Sequence, residues 1–126
     1  MMLETEIFTF EPDITGICCA GRFTLGNRLS ETETHINSLI AGGKRKLVLD
    51  LTQVEFVDSA GLGVIMRAFG ELEQAGGQLR IAGANDQVQR LFDITHTGAI
   101  LTIDPDLVTS VRKMQDGSAT PTGQSS

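Results

Sequence analysis

Residues 47–72 read LVLDLTQVEFVDSAGLGVIMRAFGEL, and a change of hydrophobic period inside this stretch decides the fold. Leu47-Val48-Leu49-Asp50-Leu51 follows the basic cluster Lys44-Arg45-Lys46 and is almost wholly apolar. So short an apolar run predicts a strand covered on both faces. Thr52 to Val57 is then expected to carry the chain off the sheet. From Asp58-Ser59 onward the spacing is helical, with Leu62, Ile65, Met66, Phe69 and Leu72 on one stripe. Asp58 and Ser59 are both good N-cap residues, so a helix is predicted to start here. A serine hydroxyl thus stands at a helix N-terminus, just past the C-terminal end of a central strand. Open α/β sheets build their sites at that edge.

Three glycines, Gly61, Gly63 and Gly70, fall inside this helix, each at a cost of about 0.5–1 kcal/mol relative to Ala. Gly63 and Arg67 lie off the apolar stripe, on or near the side that carries Ser59. Small residues there leave the first two turns flat and open to another surface. Gly63 is read as part of a docking surface; for Gly61, tight packing of the helix on its own sheet explains the residue equally well.

The 126 residues form one domain, long enough to bury about two-thirds of the unfolded surface. A net charge of −6, the absence of Trp and Tyr, and the lack of an Arg/Lys stripe argue against nucleic acid as a partner. No apolar run approaches the roughly 20 residues that span a bilayer. The acidic opening Met1-Met2-Leu3-Glu4-Thr5-Glu6 lacks the character of a signal peptide, so the expected location is the cytoplasm, away from membranes.

Around the central stretch the other elements fall into place. Leu3 to Phe10 and Ile14 to Ala20 are predicted strands joined by a turn at Pro12-Asp13, and Gly21 to Asn27 a loop with Arg22 as its one cation. Ser30-Glu31-Thr32-Glu33 has the form of a capping box, and Leu29, Ile36, Leu39 and Ile40 give a helical stripe that Gly42-Gly43 ends. Gly76-Gly77 closes the central helix before a strand from Gln78 to Ala82. Asn85 caps a helix buried through Val88, Leu91 and Phe92. After a turn at His96-Thr97-Gly98 comes a strand from Ile100 to Ile103. Asp104-Pro105-Asp106 reads as a helix start, and that helix uses Leu107, Val108 and Val111. Residues 116–126 contain no large apolar side chain and are expected to be a frayed tail on a domain spanning residues 1–115. Strands alternating with helices predict right-handed crossovers and a mixed, mostly parallel sheet flanked by helices, with an antiparallel edge strand from the first hairpin.

Little here supports catalysis. A nucleophilic serine needs a base and an oxyanion hole; the GxSxG pattern is absent, and neither His35 nor His96 is placed beside Ser59. Asp50 and Asp58 have no third acid nearby, and a phosphoacceptor role for Asp50 lacks the acidic pair that would hold Mg²⁺. Cys18-Cys19 has neither CxxC nor zinc spacing and is assigned no function. Ala41-Gly42-Gly43-Lys44 precedes a strand instead of opening a helix, so it is a cap and not a phosphate loop. No cofactor and no metal are expected. A hydroxyl at a helix N-terminus suits the acceptance of a phosphoryl group, whose charge the free N–H groups and the helix dipole would stabilise. A simple capping role for Ser59 is the alternative.

Asp50-Leu51-Thr52-Gln53-Val54-Glu55-Phe56-Val57-Asp58-Ser59-Ala60-Gly61-Leu62-Gly63-Val64 resembles the signature of the STAS domain, the sulfate transporter and anti-sigma factor antagonist family. Gly76-Gly77-Gln78-Leu79 and Val88-Gln89-Arg90-Leu91-Phe92 are similar to the family's pattern downstream. The resemblance implies a small α/β domain covering about Leu3 to Met114. In stand-alone antagonists, the serine after the aspartate is phosphorylated by an anti-sigma factor that is itself a serine kinase. By that match the acceptor here is Ser59, reset where needed by a phosphatase, and Asp58, Ala60, Gly61, Gly63, Arg67 and Arg22 belong to the partner surface. Many members carry a second hydroxyl after the acceptor; this chain has Ala60. Many antagonists have an acidic loop after the second strand; this chain has Gly21-Arg22-Phe23-Thr24-Leu25-Gly26-Asn27. The implied function is an anti-sigma factor antagonist that frees a sigma factor while unphosphorylated. A non-switching scaffold subunit of a sensory or transport assembly is the other reading.

Overall fold

The chain visits the strands of its single sheet in spatial order. In the computed structural model, which describes residues 2–116, the strands are β1 (Glu4–Phe10), β2 (Ile14–Phe23), β3 (Lys46–Val57), β4 (Gln78–Ala82) and β5 (Thr102–Asp104). β1 pairs antiparallel with β2, and the other neighbours are parallel. The helices are α1 (Leu29–Ala41), α2 (Ser59–Gln74), α3 (Asp86–Ile94) and α4 (Leu107–Gln115). Crossovers of one hand that always step in the same direction put their helices on the same face. Side chains of α1, α2 and α3 accordingly share one core with Leu47, Leu49, Leu51 and Ile81. α4 follows the last strand and closes the opposite face through Val111 and Met114 on Ile14, Val48 and Ala82. The short apolar strand is thus covered on both faces. Among the described residues no helix is long and apolar enough to cross a membrane.

Thr52 to Val57 does not leave the sheet. β3 continues to Val57, and its register against β2 slips twice, between Cys18 and Ala20 and between Gly21 and Arg22. Each slip inserts an extra β3 residue, a β-bulge. Leu51, Val54 and Val57 are buried while Thr52, Gln53, Glu55 and Phe56 are exposed. That spacing of three is neither strand nor helix, so the segment reads as irregular. β2 likewise runs on to Phe23, three residues beyond the expected end of the strand.

Several helix boundaries also move. The N-cap of α1 is Arg28, in the left-handed conformation at φ 65° and without a side-chain cap. Ser30 already lies inside the helix, so its hydroxyl cannot serve the expected capping box. α2 turns Gly61, Val64, Ile65, Ala68 and Leu72 inward, while Leu62, Met66 and Phe69 pack half-buried against the same core. A 3-10 turn at Thr97–Ala99 extends into backbone bonds from Ile100 and Leu101 to Thr97, which delays β5 to Thr102. Asp104 is not a cap. It is 3% exposed on β5, and Asp106 caps α4 by accepting from the Thr109 N–H at 2.8 Å. α4 buries Ser110, Val111 and Met114 and leaves Val108 exposed. Of the frayed tail expected over residues 116–126, residues 117–126 lie outside the described residues.

Candidate functional site

Asp58 organises the start of α2. Its backbone is extended at φ −97°, and one carboxylate oxygen accepts from the Gly61 N–H at 2.8 Å, capping the helix. The other accepts from the Leu25 N–H at 3.0 Å, fixing the loop between β2 and α1. From that loop the Asn27 side-chain amide donates back to the Arg22 carbonyl on β2 at 2.8 Å. Capping therefore falls to Asp58, and Ser59, exposed in the first turn of the helix, is left with its hydroxyl unused as a cap.

Gly61 lets this arrangement form. A Cβ there would stand 2.1 Å from the Phe23 carbonyl oxygen, far inside contact distance, so tight packing on β2 accounts for the glycine. Gly63 differs: its nearest neighbour is the guanidinium of Arg67, at 3.3 Å from an added Cβ. Gly61→Ala is expected to lower stability by about 1–3 kcal/mol through overpacking. Gly63→Ala gains up to about 1 kcal/mol of helix propensity against a small shift of the Arg67 side chain, so it should cost much less than Gly61→Ala. Urea denaturation of the two variants checks the contrast; equal effects would contradict it.

Beside Ser59, between the first turns of α1 and α2, lies a groove of about 660 Å³ lined by Leu25, Arg28, Glu31, Glu33, Ser59, Ala60, Gly63 and Arg67 among others. Leu25 stands on its rim, 77% exposed. Arg67 bridges the groove, its Nε donating to Glu33 at 2.7 Å. Of the residues expected at a partner surface, Ser59, Ala60, Gly63 and Arg67 line the groove together. Asp58 supports it, and Gly61 is buried beneath it against Phe23. Arg22 is not among the lining residues; it is exposed on β2 opposite Phe56. Sequence reasoning missed Leu25 and Glu33. A lone leucine in a glycine-rich turn was the available signal for the first.

Asp50 sits elsewhere, on the part of the sheet that α4 leaves open. One of its oxygens accepts from the Thr52 N–H at 3.0 Å and from the Thr52 hydroxyl at 2.5 Å. The other accepts from the Cys18 thiol at 3.6 Å. Burial and the nearby Asp50 push the Cys18 thiol up to about 11. Burial pushes Cys19 up to about 12. Both thiols stay protonated near neutral pH, which removes the thiolate that reactivity requires.

Fold and groove together define a small α/β domain with a mixed, mostly parallel sheet and an open groove beside the start of α2. The STAS domain family matches residues 24–110, and the chain belongs to it. The anti-sigma-B factor antagonist of Listeria monocytogenes is 44% identical over 57 residues, 45% of this chain and 50% of that protein. The match thus spans about half the length of that relative. A crystal structure of a protein from Thermotoga maritima superposes with a TM-score of 0.81 at 20% identity, covering 88% of this chain and 94% of the other. SpoIIAA of Bacillus in its phosphorylated form superposes with a TM-score of 0.73 at 15% identity, over 88% and 99%.

Proposed function

We propose that the protein is an anti-sigma factor antagonist, working in the cytoplasm, whose groove between α1 and α2 docks a serine-kinase anti-sigma factor. While Ser59 is unmodified the complex holds the anti-sigma factor and leaves the sigma factor free. Phosphorylation of Ser59 by that same partner ends the binding, and a phosphatase restores it. The observation that carries this reading is the exposed Ser59 hydroxyl at the start of α2, spared from capping by Asp58 and set on the rim of an open groove. Supporting it, the Listeria relative is named an anti-sigma-B factor antagonist, and SpoIIAA, of the same fold, is described in phosphorylated and unphosphorylated forms. The charge of a phosphoserine, about −1.5 to −2, beside Asp58 would make this patch strongly anionic.

Incubation with its cognate anti-sigma factor kinase and ATP is expected to add one phosphate, read by intact mass. Ser59→Ala should abolish the addition. Phosphate arriving undiminished in that variant, on Thr52 for example, would overturn the assignment. Stable binding without any phosphorylation would favour a scaffold.

A further inference from the structure

We propose that Arg67, held in place by Glu33, receives the phosphoryl group of phosphorylated Ser59, so that modification fastens α1 to α2 across the groove. The inference rests on the reading of Ser59 as acceptor, and it assigns Arg67 an intramolecular role in the modified state.

Glu33 engages only the Nε edge of the guanidinium, at 2.7 Å. The opposite edge is turned back along α2: of the atoms near an added Gly63 Cβ, Arg67 Nη1 at 3.3 Å is the closest, with Nη2 at 4.0 Å. Helical side chains lean toward the N-terminus, and here the absent side chain of Gly63 gives Arg67 the space to do so. Ser59 is one turn further along the same face, where Cβ positions stand about 5–6 Å apart. Gly63, without a side chain, is the residue between them at that spacing. Arginine's planar fork can give Nε to one anion and an Nη edge to another, which a lysine cannot reproduce. The phosphate adds three acceptor oxygens.

The other charged groups of the groove do not compete for this role. All three nitrogens of Arg28 are engaged, Nε and Nη2 on Glu31 at 3.4 Å and Nη1 on the Met2 sulfur at 3.0 Å. Both oxygens of Asp58 already accept backbone N–H groups, and its negative charge opposes the phosphate. Glu33, being an anion, can act on the phosphate only by orienting Arg67. The modified groove would therefore be occupied by its own side chain, which removes the docking surface more completely than charge alone.

The test installs phosphoserine at position 59 by amber suppression, so it does not depend on any kinase. The phosphate's second ionisation is then followed by ³¹P NMR against pH. Arg67 nearby favours the dianion, so Arg67→Gln is expected to raise the midpoint by about half a pH unit or more. Glu33→Gln removes the contact that orients Arg67 but also a nearby negative charge, so it should move the midpoint less than Arg67→Gln does. Arg28→Gln should leave it in place. Equal midpoints in wild type and Arg67→Gln, with matching thermal melts, would overturn the proposal, as would a shift in Arg28→Gln alone. Failure of a kinase to modify Ser59 would count against the proposed function and leave this measurement standing.

Discussion

The Ser59→Asp variant should melt with wild type yet bind the anti-sigma factor at least about tenfold more weakly. A carboxylate in the first turn of a helix is neutral or stabilising by about 0.3–1 kcal/mol, so α2 is not harmed. The interface differs from the free helix. Ser59 shares its groove with Ala60 and Gly63, and a partner covering these small residues would strip water from the new charge. An uncompensated charge buried in that way costs several kcal/mol, and about 1.4 kcal/mol is already tenfold in affinity. Titration calorimetry with the purified partner, alongside thermal melts, decides the matter. Unchanged affinity would reduce Ser59 to a helix residue with no part in recognition.

A larger loss of stability is expected at the opposite face. Asp104 accepts from Arg80 at 2.8 Å, from the Ser110 hydroxyl at 2.6 Å and from Lys113 at 3.2 Å, with its side chain 1% exposed. β4, β5 and α4 are thereby tied through one carboxylate. Asp104→Ala leaves the Arg80 guanidinium, only 14% exposed, without its counter-charge, and breaking a buried pair from one side costs about 3–5 kcal/mol. Urea denaturation should register that loss; a change below about 1 kcal/mol would show that α4 is held by its apolar contacts alone. Burial by itself would raise the Asp104 carboxyl. The hydrogen bonds from Arg80 and Ser110, the Arg80 charge and the Lys113 bond outweigh it and hold the group at about 2, below the ordinary 3.8. Because the folded value is the lower one, this stabilisation is complete above about pH 4 and is lost between about pH 4 and 2, amounting to about 2 kcal/mol. The acid-unfolding profile of Asp104→Asn should lack that component.

What was legible in the sequence follows from what each segment depends on. Leu47 to Leu51 and the helix from Ser59 are set by local period, and both are read correctly. So are the order of elements and the antiparallel edge, since handed crossovers admit few topologies. Ser30 misleads because its hydroxyl has the chemistry of a cap, while the turn before it delivers Arg28 in a left-handed conformation that starts the helix two residues early. Asp104 misleads in the same way: beside Pro105 it looks like a cap, and only the approach of Arg80 and Ser110 from distant parts of the chain makes it a buried ion-pair centre. Ser59 and Gly63 could be placed on one side of α2 from spacing alone. That Arg67 crosses to Glu33, and that Leu25 stands on the same rim, depends on how α1 is laid beside α2, which no local pattern encodes.

The two bulges in β3 carry a consequence for how this chain can change length. From the pairing of Ile14 with Lys46 to that of Phe23 with Val57, β3 uses two more residues than β2 to cover the same ladder. Side chains alternate faces along a strand, so removing one residue between Thr52 and Phe56 would reverse the facing of whatever follows until a new irregularity absorbed it. Removing two would restore the facing but draw Asp58 back from Phe23 and Leu25. Insertions and deletions in this segment are therefore quantised, and drift in length should accumulate in the α1–β3 and α2–β4 turns, where Gly43 and Gly76 mark surface loops.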